Sequence, residues 1–284
     1  MAKSTYTALR GECHASTRYV CPGCCHELHL FSARAVADDD REACDRAEDA
    51  DIDSCSRLIQ RDPKDVAALV NRGNAYFGLS RYTRAIADYS EAIKLDPKSA
   101  ALFEKRGDVY IEMVDHDRAM ADYSEAIKLD PKNVVVFQKR GDAYNERGEY
   151  DRAIADYGEV IKLDPNNIEM LQKRAQAYNE RGEYDRAIAD ESEAIRLNPK
   201  DAAMFVNRGY SYKEKGDYDR AIADYSEAIT IAPVTPMAVI VYLSRAEAYM
   251  KKGDFDHAKA DLREAQRLGP RSELAPIVAL KKAT

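Results

Sequence analysis

The sequence predicts an all-α solenoid, in which pairs of helices stack along one axis. A proline recurs every 34 residues through most of the chain, which indicates a repeated structural unit. Within each half of this period, apolar residues stand three to four positions apart, as on the buried face of an amphipathic helix. Each unit is therefore expected to contain two helices. The recurring prolines are Pro63, Pro97, Pro131, Pro165, Pro199 and Pro233.

The composition argues against several other classes of protein. Of the 284 residues, 45% are hydrophobic and 33% are charged, which is usual for a folded domain. The formal net charge of −7 argues against nucleic-acid binding, which requires an excess of Lys and Arg on one surface. The longest uninterrupted apolar run is residues 237–243. A bilayer-spanning helix needs roughly 18 to 20 apolar residues, so no span is predicted.

Four positions of the unit carry the same kind of side chain throughout, when the recurring proline is counted as position 32. Position 4 is bulky, position 8 is Gly or Ala, position 11 is Tyr and position 20 is Ala. A small side chain at position 8 allows two helices to approach closely, and the tyrosine is expected to face the partner helix. The residues at position 8 are Gly73, Gly107, Gly141, Ala175, Gly209 and Ala246, and those at position 11 are Tyr76, Tyr110, Tyr144, Tyr178, Tyr212 and Tyr249.

This pattern resembles that of the tetratricopeptide repeat (TPR) family, and in particular bacterial multi-repeat TPR proteins. The resemblance covers residues 66–271 and implies a right-handed α-solenoid of helix-turn-helix repeats. Six repeats are implied, which we call units 1 to 6. Their bounds are 66–99, 100–133, 134–167, 168–201, 202–238 and 239–271.

Both ends of the array depart from the pattern. Residues 38–65 are predicted to form a partial repeat or cap, with its first helix within 35–47, because acidic residues replace the apolar positions there. Residues 272–284 are predicted to form a capping helix. Between units 5 and 6, residues 232–236 carry three extra residues, which we expect to lengthen that turn and to change the angle of the last unit.

Two charged positions recur in all six units, with Arg at position 7 and Asp at position 23. We expect these to pair between helices, because the planar guanidinium of Arg suits a carboxylate at a fixed distance. Position 24 is aromatic or Leu, except for Glu191. A buried carboxylate is costly unless it is paired, so either a cation lies nearby or the side chain reaches solvent, and the second alternative is favoured.

The turn between the two helices of a unit carries glycine in units 3 to 6. Glycine suits the left-handed conformation that often ends a helix. Units 1 and 2 have Ser80 and Val114 at this position, so we expect looser turns there.

All six cysteines precede residue 56, and a Cys-x-x-Cys pair lies near the N-terminus. Such a pair is half of many structural zinc sites, but no second half follows at the usual spacing. The alternative function that remains open is an N-terminal zinc or redox-active cysteine module tethered to the array. Its ligands or reactive thiols would come from Cys13, Cys21, Cys24, Cys25 and His26. No cofactor is predicted for the repeats.

Residues 1–37 show no repeat and are expected to be poorly ordered or to be a degenerate signal segment. Ala35-Val-Ala37 has the small-x-small form of a signal-peptidase site, although the preceding residues are a poor apolar core for a signal. The segment resembles that of exported bacterial TPR proteins, in which an acidic stretch with two cysteines precedes the first repeat. That resemblance implies a disulfide between Cys44 and Cys55. Cytoplasmic and exported or periplasmic locations both stay open.

The family resemblance implies that the first helices line a concave groove that holds an extended peptide or a partner helix. Amide side chains at such positions pair with peptide backbone, and carboxylates favour a basic or amine-bearing partner. A solvated acidic face without a ligand is the alternative. Because phosphate-loop and nucleophile-elbow motifs are missing from the sequence, a non-catalytic scaffold is predicted. The predicted groove residues are Glu104, Asp108, Glu112, Gln138, Asp142, Asn145, Glu146, Gln172, Gln176, Asn179, Tyr210 and Lys213.

Overall fold

The described part of the chain is built from helices that follow one another without strands, which confirms the all-α prediction. The computed structural model describes residues 38–46 and 51–269. Each helix packs on the helices that precede and follow it in the chain, which is the contact pattern of a solenoid. The helices are α1 (38–44), α2 (Ile52–Arg61), α3 (Val66–Gly78), α4 (Tyr82–Leu95), α5 (Ala100–Glu112), α6 (His116–Leu129), α7 (Val134–Glu146), α8 (Tyr150–Leu163), α9 (Ile168–Glu180), α10 (Tyr184–Leu197), α11 (Ala202–Lys215), α12 (Tyr218–Ile231), α13 (Pro236–Lys252) and α14 (Phe255–Leu268).

Several predictions concern residues outside these ranges. They are the N-terminal segment 1–37, the zinc or redox-active cysteines within it, and the capping helix at 272–284. Within the described ranges, no helix is long and apolar enough to span a membrane.

The helix α1 is attached to α2 by ionic and covalent contacts. Asp40 is buried, and its carboxylate accepts hydrogen bonds from Arg57 and pairs with Arg61 at 2.8 Å. The Arg57 hydrogen bond holds the pKa of Asp40 below its usual value. In the structure the sulfur atoms of Cys44 and Cys55 are bonded, with Cα atoms 4.9 Å apart and both side chains buried.

The recurring arginine connects three helices in five units and two helices in unit 4, and the predicted Arg–Asp pairing is confirmed. In every unit its Nε and Nη2 atoms donate to both carboxylate oxygens of the position-23 aspartate, at 2.7–2.9 Å. The pairing therefore joins the two helices of one unit. The six pairs are Arg72–Asp88, Arg106–Asp122, Arg140–Asp156, Arg174–Asp190, Arg208–Asp224 and Arg245–Asp261.

The third nitrogen of the same guanidinium reaches the preceding unit. In five units, Nη1 donates to a serine hydroxyl on the second helix of the preceding unit or cap, at 2.8–3.1 Å. Arg174 makes no such bond because Gly158 occupies the serine position. One side chain thus sets the spacing within a unit and between units. The serines are Ser56, Ser90, Ser124, Ser192 and Ser226.

The glycine at position 8 lies against the tyrosine at position 24 of the same unit. A Cβ atom built on Gly73, Gly107, Gly141 or Gly209 would lie 2.7–2.8 Å from the Cε1 atom of that ring. Position 8 is alanine only in units 4 and 6, where position 24 holds Glu191 and Leu262. The tyrosine ring and the glycine therefore occur together, because there is no room for a Cβ atom at position 8 beside a ring at position 24.

The turns of units 1 and 2 are not looser than the others, so that prediction is wrong. Ser80 and Val114 adopt φ values of 55° and 59°, close to the 71° of Gly148. The residue after Val114 donates to the carbonyl of Tyr110 at 2.9 Å, and the same bond closes the turn in unit 3 at 2.9 Å. Units 1 and 2 keep the tight turn and tolerate a side chain in a left-handed conformation.

The turn between units 5 and 6 is not lengthened, so that prediction is also wrong. Four residues, 232–235, separate α12 from α13, as four residues, 198–201, separate α10 from α11. The three extra residues lengthen α13 instead, which has 17 residues where α11 has 14. Thr235 caps the longer helix and Pro236 occupies its first turn, where a missing N–H costs nothing.

We predict that Gly158→Ser stabilises the protein by supplying the missing inter-unit hydrogen bond. A Cβ atom at residue 158 would lie 3.5 Å from Nη1 of Arg174, which is ordinary contact. The expected gain in the free energy of unfolding is about 1 to 2 kcal/mol, from helix propensity and a bond to a charged donor. Gly158→Ala is the matched control. Chemical denaturation should rank serine above alanine, although alanine is the better helix former; the reverse order would contradict the role of the hydroxyl.

A second prediction tests the contact between glycine and tyrosine. Gly141→Ala should lower the free energy of unfolding by about 1 to 3 kcal/mol, because the new methyl group would overlap the ring of Tyr157. Helix propensity alone predicts a gain of about 1 kcal/mol. In a Tyr157→Leu background, which reproduces the Ala246 and Leu262 pair of unit 6, the same substitution should be neutral or stabilising. An equal loss in both backgrounds would exclude the overlap as the cause.

Candidate functional site

The first helices of the units form one continuous surface, which we call the groove. Two cavities mark it. The N-terminal cavity, of about 420 Å³, spans α3, α5 and α7, and the C-terminal cavity, of about 680 Å³, spans α9, α11 and α13. The N-terminal cavity is lined by Phe77, Asp108, Ile111, Glu112, Tyr123, Lys139, Asp142, Ala143 and Glu146. The C-terminal cavity is lined by Glu169, Gln172, Lys173, Gln176, Asn179, Glu180, Glu191, Val206, Asn207, Tyr210, Tyr225, Ile240 and Ser244.

Eight of the predicted groove residues line these two cavities. Asp108, Glu112, Asp142 and Glu146 belong to the N-terminal cavity. Gln172, Gln176, Asn179 and Tyr210 belong to the C-terminal cavity. Four others lie on the same helices but outside both cavities, namely Glu104, Gln138, Asn145 and Lys213.

The groove is anchored to the core by the tyrosines at position 24. The hydroxyl groups of Tyr123 and Tyr157 each donate to an aspartate of the groove, Asp108 and Asp142, at 2.8 Å. Both rings are buried, and burial raises the pKa of each tyrosine above its usual value. These hydroxyls therefore stay protonated, and they hold the aspartates in place on the groove surface.

Lysines at position 6 neutralise part of the acidic surface, which the sequence prediction missed. The Nζ atom of Lys139 lies 2.7 Å from both Glu104 and Asp108 of the preceding unit. Lys173 likewise donates to Asp142 at 2.8 Å. Burial lowers the pKa of Lys139, but its hydrogen bonds outweigh that effect and the pKa is raised. The signal was present in the sequence, since a lysine stands 31 residues after each of these aspartates.

The other predicted residues outside the cavities also have partners. Gln138 donates to Glu169 at 3.0 Å, and Lys213 pairs with Glu247 at 2.8 Å. Lys213 also lies 5.5 Å from the centre of the Tyr210 ring. Asn145 differs, because its Oδ1 atom is buried without a hydrogen-bond partner among the described residues.

Glu191 does not reach solvent, so that prediction is wrong. The residue is 3% exposed, and it lies at the wall of the C-terminal cavity. Its Oε1 atom accepts a hydrogen bond from the hydroxyl of Ser211 at 2.8 Å, and Nδ2 of Asn179 is 3.4 Å away. Ser211 is the only hydroxyl residue at position 10 among the six units. Burial raises the pKa of Glu191 to about 7, which the Ser211 bond counteracts only in part.

No metal site is apparent in the groove. Across residues 38–46 and 51–269, no three His, Cys, Asp or Glu side chains are grouped so that they could hold a metal ion.

The raised pKa of Glu191 predicts a pH-dependent contribution to stability. Its pKa is about 7 in the folded protein against 4.5 as the reference value. Between pH 4.5 and about pH 7 the folded state binds more protons than the unfolded state. The contribution of Glu191 to the free energy of unfolding therefore falls as the pH rises through this range. Glu191→Gln removes it. The free energy of unfolding of this variant, relative to the wild type, should rise by about 3 kcal/mol at most between pH 5 and pH 8.

The control for this measurement is Glu180→Gln, which removes an exposed carboxylate from the same cavity. Its stability relative to the wild type should change little over the same pH range, because this side chain stays in contact with water in the folded protein. A flat difference for Glu191→Gln as well would contradict the burial of the charge.

Comparisons with known proteins agree with the repeat pattern. Sequence models described as TPR repeat match residues 73–114, 141–180 and 175–216. Models described as tetratricopeptide repeat match residues 100–133, 123–155, 202–233 and 239–271. No curated protein matches the chain.

Among solved structures, MamA is 30% identical, with a TM-score of 0.52 over 57% of this chain and 92% of MamA. YrrB, described as a TPR protein with an unusual peptide-binding site, is 21% identical with a TM-score of 0.58 over 67% of this chain and 98% of YrrB. A tetratricopeptide repeat protein from Parabacteroides merdae is 20% identical, with a TM-score of 0.55 over 86% of this chain and 96% of that protein. The chain belongs to the tetratricopeptide repeat family and folds as an all-α array of its repeats.

Proposed function

We propose that the protein is a non-catalytic scaffold that holds a basic or amine-bearing segment of a partner protein in the groove. The observation that carries this proposal is that each of the two cavities spans three successive first helices. A surface of this length suits an extended peptide or a helix, whereas a small substrate needs one enclosed pocket. YrrB is described as having a peptide-binding site, but it shares only its fold with this chain. It therefore supports a peptide as the class of ligand and nothing more specific.

The charge of the groove favours a basic partner. After Lys139 and Lys173 have neutralised their neighbours, three exposed glutamates remain at position 13 of units 2, 3 and 4. They are Glu112, Glu146 and Glu180. None of them forms an ion pair with Lys or Arg in the part of the chain that the structure describes. A row of unneutralised carboxylates attracts cationic side chains and sets the orientation of the bound segment.

The test of this proposal compares two triple variants of equal charge. Glu112, Glu146 and Glu180 are each replaced by Gln in the first variant, and Glu91, Glu125 and Glu159 in the second. The control residues lie at one repeated position of the second helices, where each pairs with a lysine three residues later. A peptide selected on the wild type from a displayed random library serves as the probe.

The groove variant should bind this peptide about tenfold more weakly at low salt, as three exposed charge pairs of about 0.5 kcal/mol each predict. The control variant should change affinity less than twofold. Titration calorimetry measures both. Selection of no peptide at all, or an equal loss in the two variants, would overturn the proposed groove.

A further inference from the structure

The C-terminal cavity contains a buried polar cluster that has hydrogen-bond acceptors to spare. The cluster consists of Asn179 on α9, Glu191 on α10 and Ser211 on α11, and it occurs once among the six units. In units 1, 2, 3 and 5 a tyrosine ring fills the position of Glu191. Replacement of the ring by a shorter carboxylate removes bulk from the cavity wall and introduces an acceptor there.

Every donor of the cluster is already used. The Ser211 hydroxyl donates to Oε1 of Glu191 at 2.8 Å, and Nδ2 of Asn179 donates to the Ser211 oxygen at 2.9 Å. Two acceptors stay unpaired. Oε2 of Glu191 and Oδ1 of Asn179 are buried and have no hydrogen-bond partner among the described residues. Unpaired buried acceptors are costly, so this arrangement indicates a missing donor.

The neighbouring cations are committed to other carboxylates. Arg208 on α11 is bonded to both oxygens of Asp224 on α12, and Lys173 on α9 pairs with Asp142 and Glu169. The guanidinium of Arg174 on α9 is bonded to Asp190, the residue that precedes Glu191 on α10. Glu180 on α9 adds a further negative charge at the cavity, and the groups of α13 that line it, Ile240 and Ser244, are uncharged. None of these neighbouring cations is therefore paired with Glu191, and the local charge favours a cationic donor.

The shape of the cluster distinguishes an ammonium from a guanidinium. A guanidinium binds best when both oxygens of a carboxylate are available to its planar fork. Oε1 of Glu191 already accepts a hydrogen bond from Ser211. The acceptors without a partner are therefore one carboxylate oxygen, Oε2 of Glu191, and one amide oxygen, Oδ1 of Asn179. An ammonium can donate to two separate acceptors and direct its third N–H to the cavity mouth.

The outer part of the cavity suits an aliphatic chain. Val206 and Tyr210 of α11 and Ile240 of α13 line it, and the last two are 46% and 61% exposed. Apolar side chains in this position cover the methylene groups of a long cationic side chain while its charged end reaches a polar partner.

We propose that the C-terminal cavity is a lysine-binding subsite, in which the ammonium of a partner's lysine donates to Oε2 of Glu191 and Oδ1 of Asn179. The methylene stem lies against Val206, Tyr210 and Ile240. This inference deepens the proposed function and rests on it. Burial raises the pKa of Glu191 to about 7, so the carboxylate carries its charge, and holds the ammonium firmly, above that pH.

The experiment uses the full chain and small probes that stand for a lysine side chain. n-Butylammonium, n-butylguanidinium and n-butanol are titrated at pH 8.5 while the Glu191 carboxyl signal is followed by NMR on protein labelled with ¹³C in its glutamate carboxyls. Butylammonium should shift this signal and bind at least about tenfold more tightly than butanol, because only the former makes a charge-assisted hydrogen bond. Binding should weaken by a similar factor at pH 5.5, where Glu191 is protonated; this comparison needs no variant.

Two variants identify the residue responsible. Glu191→Gln should weaken butylammonium binding at pH 8.5 about tenfold or more, with binding then followed by amide signals of the cavity. The combined variant Glu191→Tyr, Ala175→Gly and Ser211→Ala restores the ring and glycine of the other units and should abolish binding. The proposal is overturned if butylammonium leaves the Glu191 signal unmoved, if butylguanidinium binds more tightly, or if binding is equal at the two pH values.

The outcome also separates the subsite from the groove. Peptides selected on the wild type should be enriched in lysine, and selection on Glu191→Gln should lose that enrichment while still recovering peptides. If no peptide is recovered but butylammonium binds as expected, the groove proposal fails and the subsite stands. If peptides are recovered without any preference for lysine, the groove stands and the lysine-binding subsite fails.

Discussion

The array depends on a guanidinium that is held between two second helices. In each unit the arginine at position 7 lies on the first helix and binds the aspartate that follows it by 16 residues. Its remaining nitrogen reaches the second helix of the unit before it, as Arg140 reaches Ser124. A partly buried charge is costly where its bonds are incomplete, so the complete set of bonds favours one spacing of neighbouring helices. Gly158 marks the one interface between units where this constraint is relaxed.

Packing between the two helices of a unit also positions side chains on the groove surface. The glycine at position 8 allows the tyrosine ring of position 24 to pack closely against the first helix, and in unit 2 the hydroxyl of that ring bonds to the residue at position 9. Asp108 and Asp142 are thus oriented by core residues, and Lys139 and Lys173 then neutralise them. The polar surface that a partner meets is for this reason less acidic than its composition suggests.

Unit 4 has the same pair of helices as the other units but different side chains at positions 8 and 24. Glu191 replaces the ring, Ala175 replaces the glycine that the ring requires, and Ser211 of the next unit supplies a hydroxyl where alanine or valine stands elsewhere. Glu191 and Ser211 are in contact although they are 20 residues apart in the chain. Glu191 and Ser211, together with Asn179, form a buried polar cluster beside the C-terminal cavity.

The recurring features of the fold could be predicted from the amino-acid sequence. The 34-residue period, the helix pairs and the Arg–Asp pairing could be predicted because each was repeated six times, and repetition separates a structural requirement from chance. Features that occur only once became visible in the folded chain. Val114 holds a tight turn, the three extra residues extend α13, and Glu191 stays buried because Ser211 and Asn179 meet it there. The environment of Glu191 depends on side chains 12 and 20 residues away in the chain, and local propensity carries no information about such contacts.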